Sequence, residues 1–356
     1  MNFSRMAEKL AHRFPSRIVT IDSHTAGEPT RLILGHENLP GRSMADKRLH
    51  LMENLDHIRL LMTREPRGHR NIFAALFTEP VTTGADFGLI YMDAKRYPYL
   101  CGHAVIGAVM TVIEMGMIPA NEGIHPMIVD TPSGQVRAAA TVHAGKVESV
   151  TIEMVPAFVQ QTGCRLDLDE MGDSDGMGDS DEMGRIEVDL VCVGGFFAMV
   201  DVAQLGISLA RENHGQLIEM GMAIIDAANR QLTINHPVRS DIQTVDVTEF
   251  YDTNSDENRH GRSVVIFGES HIDRSPCGTG TTAKMTLFHH KGLLDLNQPY
   301  INTSPLGTTF KGQLIEKTRV GDIEAVVAEI TGSAYITGVH EFVIDPRDPF
   351  PDGYLL

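Results

Sequence analysis

The sequence predicts a mixed α/β protein, of the α+β kind, that consists of two related halves. The chain contains an internal repeat centred on two cysteines, and each copy combines a helical pattern with alternating, strand-like patterns. A glycine ends each helical pattern, which is the usual signal for a helix C-terminus. A duplicated unit of strand, helix and strand pair therefore underlies the predicted fold.

The repeat aligns without a gap when Cys101 is placed over Cys277. The stretch LIYMDAKRYPYLCGHAVIGAVMTVIEMG then matches VIFGESHIDRSPCGTGTTAKMTLFHHKG. An apolar pair lies at the same distance before each cysteine, and a glycine, Gly116 or Gly292, lies at the same distance after it. Each copy therefore predicts a strand, a Cys-Gly pair, a helix and a glycine stop.

The predicted helices follow the cysteines, over residues 102–115 and 278–291. Ala, Val, Ile and Met dominate the first helix nearly all round, which is typical of a buried helix. A strand pair is predicted after each helix, in TPSGQVRAAATVHAGKVESVTIEMV and SPLGTTFKGQLIEKTRVGDIEAVVAEI, where glycine turns separate the strands.

The predicted first half is 1–184 and the second half is 185–356, with a C-terminal strand that can cross back to the first half. Between the repeats, residues 171–184 read MGDSDGMGDSDEMG, in which MGDSD occurs twice. This Asp, Ser and Gly content predicts a solvated insertion. Its carboxylates could bind calcium, but no bidentate glutamate stands at the EF-hand position, so that role is not favoured.

Composition and charge exclude several classes of partner. Of the 356 residues, 42% are apolar and 22% are charged, and the net charge is -17. Such a surface repels nucleic acid and anionic lipid. The longest apolar run, residues 190–200, is too short to span a bilayer and predicts a buried strand. No secretory signal is apparent, so a cytoplasmic protein is expected.

The four cysteines are far apart in the chain and form no CxxC pair, so neither a disulfide framework nor a zinc site is predicted. Cys164 and Cys192 have undistinguished surroundings and are expected to be inert core residues. Cys101 and Cys277 occupy the same point of a repeat, each before a glycine that lets a ligand approach the backbone. These two are the candidate functional thiols.

The predicted helix N-termini explain what the two thiols can do. Unpaired N–H groups and the helix dipole favour an anion, so a thiol there is expected to have a lowered pKa and a ligand carboxylate can be bound. If both thiols face one cavity, one can remove a proton from a carbon while the other returns one from the opposite side. Backbone N–H groups stabilise the charge that develops on the carboxylate. This is racemisation.

No cofactor or metal is expected. The chain has no Walker-type glycine loop, no HExxH spacing and no identifiable pyridoxal lysine. Asp273, four residues before Cys277, can accept a proton from a substrate ammonium group or can cap the loop. His103, two residues after Cys101, is a second polar candidate or a structural helix-start residue, and His24 in a predicted tight turn is a weaker one.

Five motifs resemble the proline racemase family of cofactor-independent enzymes. They are LCGHAVIG, DRSPCGTGT, IDSHTAGEPTR, EPRGHRNIF and ITGSAYITG. The resemblance runs from about residue 18 to residue 356, without the insertion. It implies a fold related to diaminopimelate epimerase, with two pseudo-symmetric halves that each wrap a curved mixed sheet round a central helix. It also implies a homodimer.

The resemblance also implies roles for individual residues. Cys101 and Cys277 would be the two catalytic bases, and Asp273 and His103 would contact the substrate nitrogen. The substrate carboxylate would be bound by the N–H groups of Gly102, His103, Gly278 and Thr279. The ring pocket would be lined by Phe73 and Phe267.

The family includes proline racemases and 4-hydroxyproline 2-epimerases, which resemble this chain in having two cysteines, and trans-3-hydroxyproline dehydratases, which have threonine at the second position. Cys277 therefore favours a racemase or epimerase, although CGHAV and HHKGLLDLNQ are similar to the dehydratases. Phe73 and Phe267 favour proline, because an apolar pocket must strip water from a ring hydroxyl. Val193 in CVGGFFA replaces a common glycine, which leaves substrate preference open there.

Two further interpretations remain from the sequence. A binding protein could keep the carboxylate-binding fold without turnover, although binding alone does not need two acid/base groups. Opposed thiols could also close to a disulfide, in which case oxidation would inactivate the protein.

Overall fold

The fold is described from a computed structural model, for residues 13–14, 16–35, 38–168, 184–253 and 260–356. The insertion predicted at 171–184, and with it the calcium interpretation, lies outside these residues except for Gly184. Among the described residues, no helix is both long enough and apolar enough to cross a membrane.

The described residues form five α-helices, two short 3₁₀ helices and 17 strands. The α-helices are α1 Met44–Asn54, α2 Asp56–Thr63, α3 Gly102–Glu114, α4 His214–Gln231 and α5 Gly278–His290; the 3₁₀ helices are Val202–Leu205 and Arg211–Asn213. The strands are β1 Arg17–Thr25, β2 Glu28–Leu34, β3 Ala74–Thr78, β4 Phe87–Met92, β5 Gly123–Thr131, β6 Gly134–His143, β7 Lys146–Glu153, β8 Phe158–Asp167, β9 Arg185–Cys192, β10 Phe196–Asp201, β11 Val245–Tyr251, β12 His260–Phe267, β13 His271–Ile272, β14 Tyr300–Thr303, β15 Thr309–Val320, β16 Ile323–Gly332 and β17 Ala334–Val343.

The strand pairings repeat across the molecule. In one half the order is β17-β1-β2-β3-β4-β5-β6-β7, where the β2–β3 and β4–β5 pairs are parallel and the others antiparallel. In the other half the order is β8-β9-β10-β11-β12-β14-β15-β16, with parallel pairs at the same two places, β10–β11 and β12–β14. An antiparallel β7–β16 pair joins the halves. The predicted two-half α/β class is therefore confirmed.

The outermost strand of each half comes from the other side of residue 184 in the chain. β17, the last strand, pairs with β1, the first. β8 precedes residue 184 but pairs with β9, which follows it. Strand pairing therefore crosses residue 184, and the division of the chain into two domains at that residue stays a prediction.

Each half surrounds one buried helix. α3 packs against strands from both ends of its own sheet, β17, β1 and β2 on one side and β6 and β7 on the other. α5 likewise packs against β8, β9 and β10 and against β15 and β16. A sheet whose two ends both touch one helix must be curved round it, as predicted for this fold.

The two predicted helices are confirmed to within one residue at their C-termini. Gly116 and Gly292 follow them with φ of 68° and 72°. This left-handed conformation favours glycine, which explains why the helices end there.

The prediction of a single buried strand over residues 190–200 was wrong. β9 and β10 divide this segment and pair with each other in antiparallel fashion, with Cys192 opposite Phe196. Gly194, with φ of 71°, lies in the tight turn between them. The continuous apolar run therefore corresponds to two paired strands of a hairpin, and the residues on both sides of the turn are buried.

Candidate active site

The N-termini of α3 and α5 meet at the interface of the two halves. Cys101 and Cys277 are the residues immediately before the first helical residue of each. A Cβ atom built on Gly102 would lie 3.0 Å from the Cα atom of Gly278, and one built on Gly278 would lie 3.1 Å from the Cα atom of Gly102. Only glycine at these two positions allows the backbones to approach so closely.

A cavity opens at this meeting point, with a volume of about 60 Å³. This is several times the roughly 10–15 Å³ that one water molecule needs, so a small ligand can enter. All nine site residues predicted from the sequence line it. They are Phe73, Cys101, Gly102, His103, Phe267, Asp273, Cys277, Gly278 and Thr279.

The two thiols have different neighbours. Sγ of Cys101 lies 3.1 Å from Nδ1 of His103. Sγ of Cys277 lies 3.4 Å from the hydroxyl of Thr279 and accepts a hydrogen bond of 3.3 Å from the N–H of Gly280. The backbone of Cys277 has a φ of 58°, which few residues other than glycine adopt. Each thiol thus lies beside the side chain two residues after it, an imidazole in one half and a hydroxyl in the other, so equivalent positions contact the two thiols but with different chemistry.

The expected lowering of the thiol pKa values was wrong. Burial raises the pKa of Cys101 well above its ordinary value, and the charge of Asp273 adds to this, although the N–H groups of Ala104 and His103 act in the opposite direction. Burial likewise raises the pKa of Cys277. Desolvation of a thiolate therefore outweighs the helix N-terminus at both sites.

Asp273 lies in the loop between β13 and α5 and is almost completely buried. Its Oδ1 accepts a 2.7 Å hydrogen bond from the N–H of Ser275. Burial, together with the nearby charge of Glu28, raises the pKa of the Asp273 carboxyl to about 7. This carboxyl can therefore change its protonation state near neutral pH.

His103 is held as a neutral imidazole. Burial lowers its pKa to about 4, although the charge of Glu28 acts in the opposite direction. Its ring contacts Phe73 edge to face, with centroids 5.0 Å apart. A neutral imidazole can either donate or accept one hydrogen bond at the nitrogen that faces the thiol.

One wall of the cavity is apolar. Phe73 and Phe267 meet edge to face at 6.4 Å, and Phe267 stacks on His271 at 4.4 Å. Val193, the unusual residue of the CVGGFFA segment, also lines the cavity. The loop at which substrate preference was left open therefore borders the cavity.

Sequence reasoning missed two charged residues that line the cavity. Arg96 extends from the loop before Cys101, and its guanidinium lies 3.2 Å from a carboxylate oxygen of Asp246 in the other half. In the repeat alignment Arg96 stands opposite Ile272, so the repeat gave no signal for it. This ion pair joins the two halves at the cavity.

The weaker sequence candidates lie elsewhere. His24 contacts the ring of Tyr335 at a tilt, with centroids 5.4 Å apart, and its Nδ1 accepts a hydrogen bond from the N–H of Gly27, so it supports the hairpin turn. Cys164 and Cys192 are buried in the apolar core of the second half, as expected for inert thiols.

The cavity combines two opposed helix N-termini, each preceded by a thiol, with a titratable carboxyl and an aromatic wall. The first N–H groups of a helix have no partner within it and can bind a carboxylate. The arrangement suits a small amino acid whose α-carbon lies between two acid/base groups.

Comparisons with known proteins agree with this description. The model of the family described as proline racemase matches residues 20–355. A proline racemase of Clostridioides difficile is 42% identical over 345 residues, which covers 97% of this chain and 99% of that protein. A 4-hydroxyproline 2-epimerase of Streptosporangium roseum is 38% identical over 337 residues, which covers 94% and 97%.

A solved structure has the same architecture. The crystal structure of a hydroxyproline epimerase from Agrobacterium vitis, with bound trans-4-hydroxy-L-proline, matches with a TM-score of 0.87 at 28% sequence identity. The match covers 96% of each chain.

Proposed function

The chain belongs to the proline racemase family and is an isomerase, and we propose that it interconverts L- and D-proline without a cofactor, by two-base transfer of the α-proton. The observation that supports this most directly is the pair of cysteines at the N-termini of two helices that meet at one cavity. Binding alone would not require two acid/base groups on opposite sides of a ligand.

The substrate carboxylate is proposed to bind between the two helix N-termini, through the N–H groups of Gly102, His103, Gly278 and Thr279. This position favours an anion, because the N–H groups and both helix dipoles point towards it. As the α-proton leaves, negative charge spreads onto the carboxylate, and the same donors then bind it more strongly. The substrate nitrogen is proposed to contact Asp273 and His103.

Two protons move in the proposed reaction. The thiolate of one cysteine takes the α-proton, and the thiol of the other donates its proton to the opposite face of the carbon. The C–H bond that breaks and the one that forms lie on opposite faces, so configuration inverts and the thiolate and thiol exchange identities. The reverse reaction uses the cysteines in exchanged roles.

One thiol must lose its proton before this cycle starts. Burial raises the pKa values of both thiols and so favours their protonated forms. A substrate ammonium group supplies a positive charge, which favours a thiolate nearby. Substrate binding is therefore proposed to activate the base, with the displaced thiol proton released to solvent.

Proline is proposed as the substrate in preference to 4-hydroxyproline, because Phe73 and Phe267 form an apolar wall that offers no partner to a ring hydroxyl. The alternative is a 4-hydroxyproline 2-epimerase, which is favoured by the relative in Streptosporangium roseum and by Arg96 and Asp246 at the cavity. Dehydration of trans-3-hydroxy-L-proline is less favoured, since Cys277 supplies a second base that this reaction does not need. We further propose that the protein is a homodimer and is located in the cytoplasm.

The experiment is proton NMR of the reduced protein in deuterium oxide, with L-proline and separately with trans-4-hydroxy-L-proline, alongside polarimetry. Loss of the α-proton signal and of optical rotation with proline supports the racemase, and exchange chiefly with hydroxyproline supports the epimerase. Binding of proline without exchange of either substrate contradicts both and favours a binding protein. A dehydratase would instead consume trans-3-hydroxy-L-proline.

A further inference from the structure

Glu28 connects the two halves of the molecule beside the candidate active site. It follows the Ala26-Gly27 turn of the β1–β2 hairpin, and its side chain is completely buried. Its Oε2 accepts a 2.7 Å hydrogen bond from the backbone N–H of Arg274, and its Oε1 lies 2.7 Å from Nε2 of His271. This carboxylate of one half therefore holds a loop of the other.

That loop contains two residues of the proposed mechanism. Asp273 directly precedes Arg274 and accepts a hydrogen bond from the N–H of Ser275. The hydroxyl of Ser275 in turn accepts a 3.0 Å hydrogen bond from the N–H of Cys277. Because these contacts are short and consecutive, the position of Arg274 constrains both the carboxyl and the thiol.

The same hairpin end also contacts the other helix. Thr25 is the cross-strand partner of Glu28, and its hydroxyl donates a 2.8 Å hydrogen bond to the backbone oxygen of His103 in the first turn of α3. One short hairpin therefore touches the start of α3 through Thr25 and the loop before α5 through Glu28. It is placed to fix how the two helix N-termini face each other.

Glu28 also affects the aromatic wall, although it does not line the cavity. His271, its ion-pair neighbour, stacks on Phe267 with ring planes 21° apart. Phe267 in turn contacts Phe73. Displacement of the Glu28 carboxylate would therefore reach the ring pocket through His271.

The charge of Glu28 acts on the titratable groups of the cavity. Burial alone would raise the pKa of Glu28, but the charge and hydrogen bond of His271 keep it below its ordinary value. Glu28 is therefore ionised at neutral pH. Its charge raises the pKa values of Asp273 and Cys101, whereas the charge of His271 lowers that of Asp273. The charge of Asp273 likewise raises the pKa of Cys277.

We propose that Glu28 is a positioning residue for the racemisation proposed above: it holds the loop with Asp273 and Cys277 on the hairpin that also holds α3, and it places a buried carboxylate against His271 and Arg274, which stand on either side of Asp273. The inference rests on the proposed function for its meaning, but Asp273 can be titrated without any turnover. It predicts opposite effects for the two members of the Glu28–His271 pair.

The test uses the Glu28→Gln and His271→Gln variants, both close in size to the original residue. Glu114→Gln is the matched control, because Glu114 also accepts a backbone N–H bond, from Val147, and pairs with a cation, Lys146, but lies away from the cavity. The carboxyl of Asp273 is titrated by ¹³C NMR, with its signal assigned by Asp273→Asn. The pH profile of kcat/KM is measured with whichever substrate is turned over.

In Glu28→Gln we expect the midpoint of Asp273, and the acid limb of kcat/KM, to move to lower pH by about one unit, because a like charge is removed. In His271→Gln both should move to higher pH, and Glu114→Gln should match the wild type.

A folded Glu28→Gln protein with an unmoved midpoint would overturn the inference, since loss of anchoring alone lowers kcat without shifting a titration. If Glu28→Gln does not fold, an unmoved midpoint in His271→Gln overturns it. A wild type without turnover contradicts the proposed function instead, and the titration still decides the role of Glu28.

Discussion

Gly102 and Gly278 face each other across the interface of the two halves, so close that a Cβ atom on Gly102 would lie 3.0 Å from the Cα atom of its partner. Each is the first residue of its helix, directly after a cysteine. The separation of the two thiols therefore depends on the absence of two side chains. Neither glycine has a positive φ, so the close approach of the two backbones, and not an unusual backbone conformation, explains why glycine stands at both positions.

The first prediction concerns this contact. Gly102→Ala and Gly278→Ala should each move the helix N-termini apart by a few tenths of an ångström and lower kcat by about 10-fold or more, because catalysis depends on sub-ångström placement of the reacting groups. Gly215→Ala is the control, since a Cβ atom there meets nothing within 4 Å. Steady-state kinetics and thermal unfolding measure the effect. Unchanged kcat in both cavity variants would contradict the proposed placement of the thiols.

The repeat explains why so much of this arrangement was predictable. An alignment of Cys101 with Cys277 gave both helices and their glycine ends, because helix formation depends on local pattern and on the positions where only glycine is comfortable. A C-terminal strand that crosses back was expected, but the pairing of β8 with the second half was not specified by the pattern, since strand pairing joins residues that are distant in the chain.

The second prediction concerns Asp273. Its carboxyl has a raised pKa of about 7 in the folded protein, so the folded state binds a proton that the unfolded state has released above its ordinary pKa near 3.8. The contribution of Asp273 to the free energy of unfolding should therefore fall as pH rises from about 4 to about 7, as this buried group becomes charged. Asp273→Asn should raise the thermal midpoint at pH 8, leave it nearly unchanged below pH 4, and abolish turnover. A lower midpoint at pH 8 would contradict this.

The third prediction concerns a buried pair formed by Lys284, in the helix that follows Cys277, and Glu249 on β11. Lys284 is completely buried, and its Nζ donates to the hydroxyl of Ser263, which donates to Glu249. Lys284→Met leaves the Glu249 carboxylate without its cation and should lower the free energy of unfolding by about 3–5 kcal/mol. Glu249→Gln in the same chain should recover part of this loss.

Urea unfolding measures these changes. Lys146→Met is the control, because that lysine is exposed and pairs with Glu114 at the surface, where an ion pair contributes at most about 1 kcal/mol. Losses that simply add in the double variant would show that Lys284 and Glu249 do not stabilise each other.

The fourth prediction concerns the thiols. Cys101→Ser and Cys277→Ser should each lower kcat about 100-fold or more, because a serine hydroxyl is a far weaker acid than a thiol and general acid–base catalysis contributes that much. Cys164→Ser makes the same chemical change in a core away from the cavity and should keep turnover. Full activity in either cavity variant would exclude a two-base mechanism.

What the sequence missed at the site has a physical cause in each case. The helix N-terminus was visible in the pattern, but the burial that raises the pKa of both thiols depends on packing between halves that no local pattern shows. Glu28 stood in a quoted motif as part of a tight turn, because its partners, Arg274 and His271, are more than 240 residues away. Arg96 lacked a counterpart in the repeat.

The most direct test of two-base transfer is the position of deuterium at early times in deuterium oxide, with L-proline as substrate and the two enantiomers separated before mass spectrometry. Two-base transfer predicts that D-proline gains one deuterium at the α-carbon while recovered L-proline keeps its proton, because the removed proton and the returned one belong to different thiols. Deuterium in recovered L-proline as early as in the product, or D-proline that retains the original proton, would contradict it.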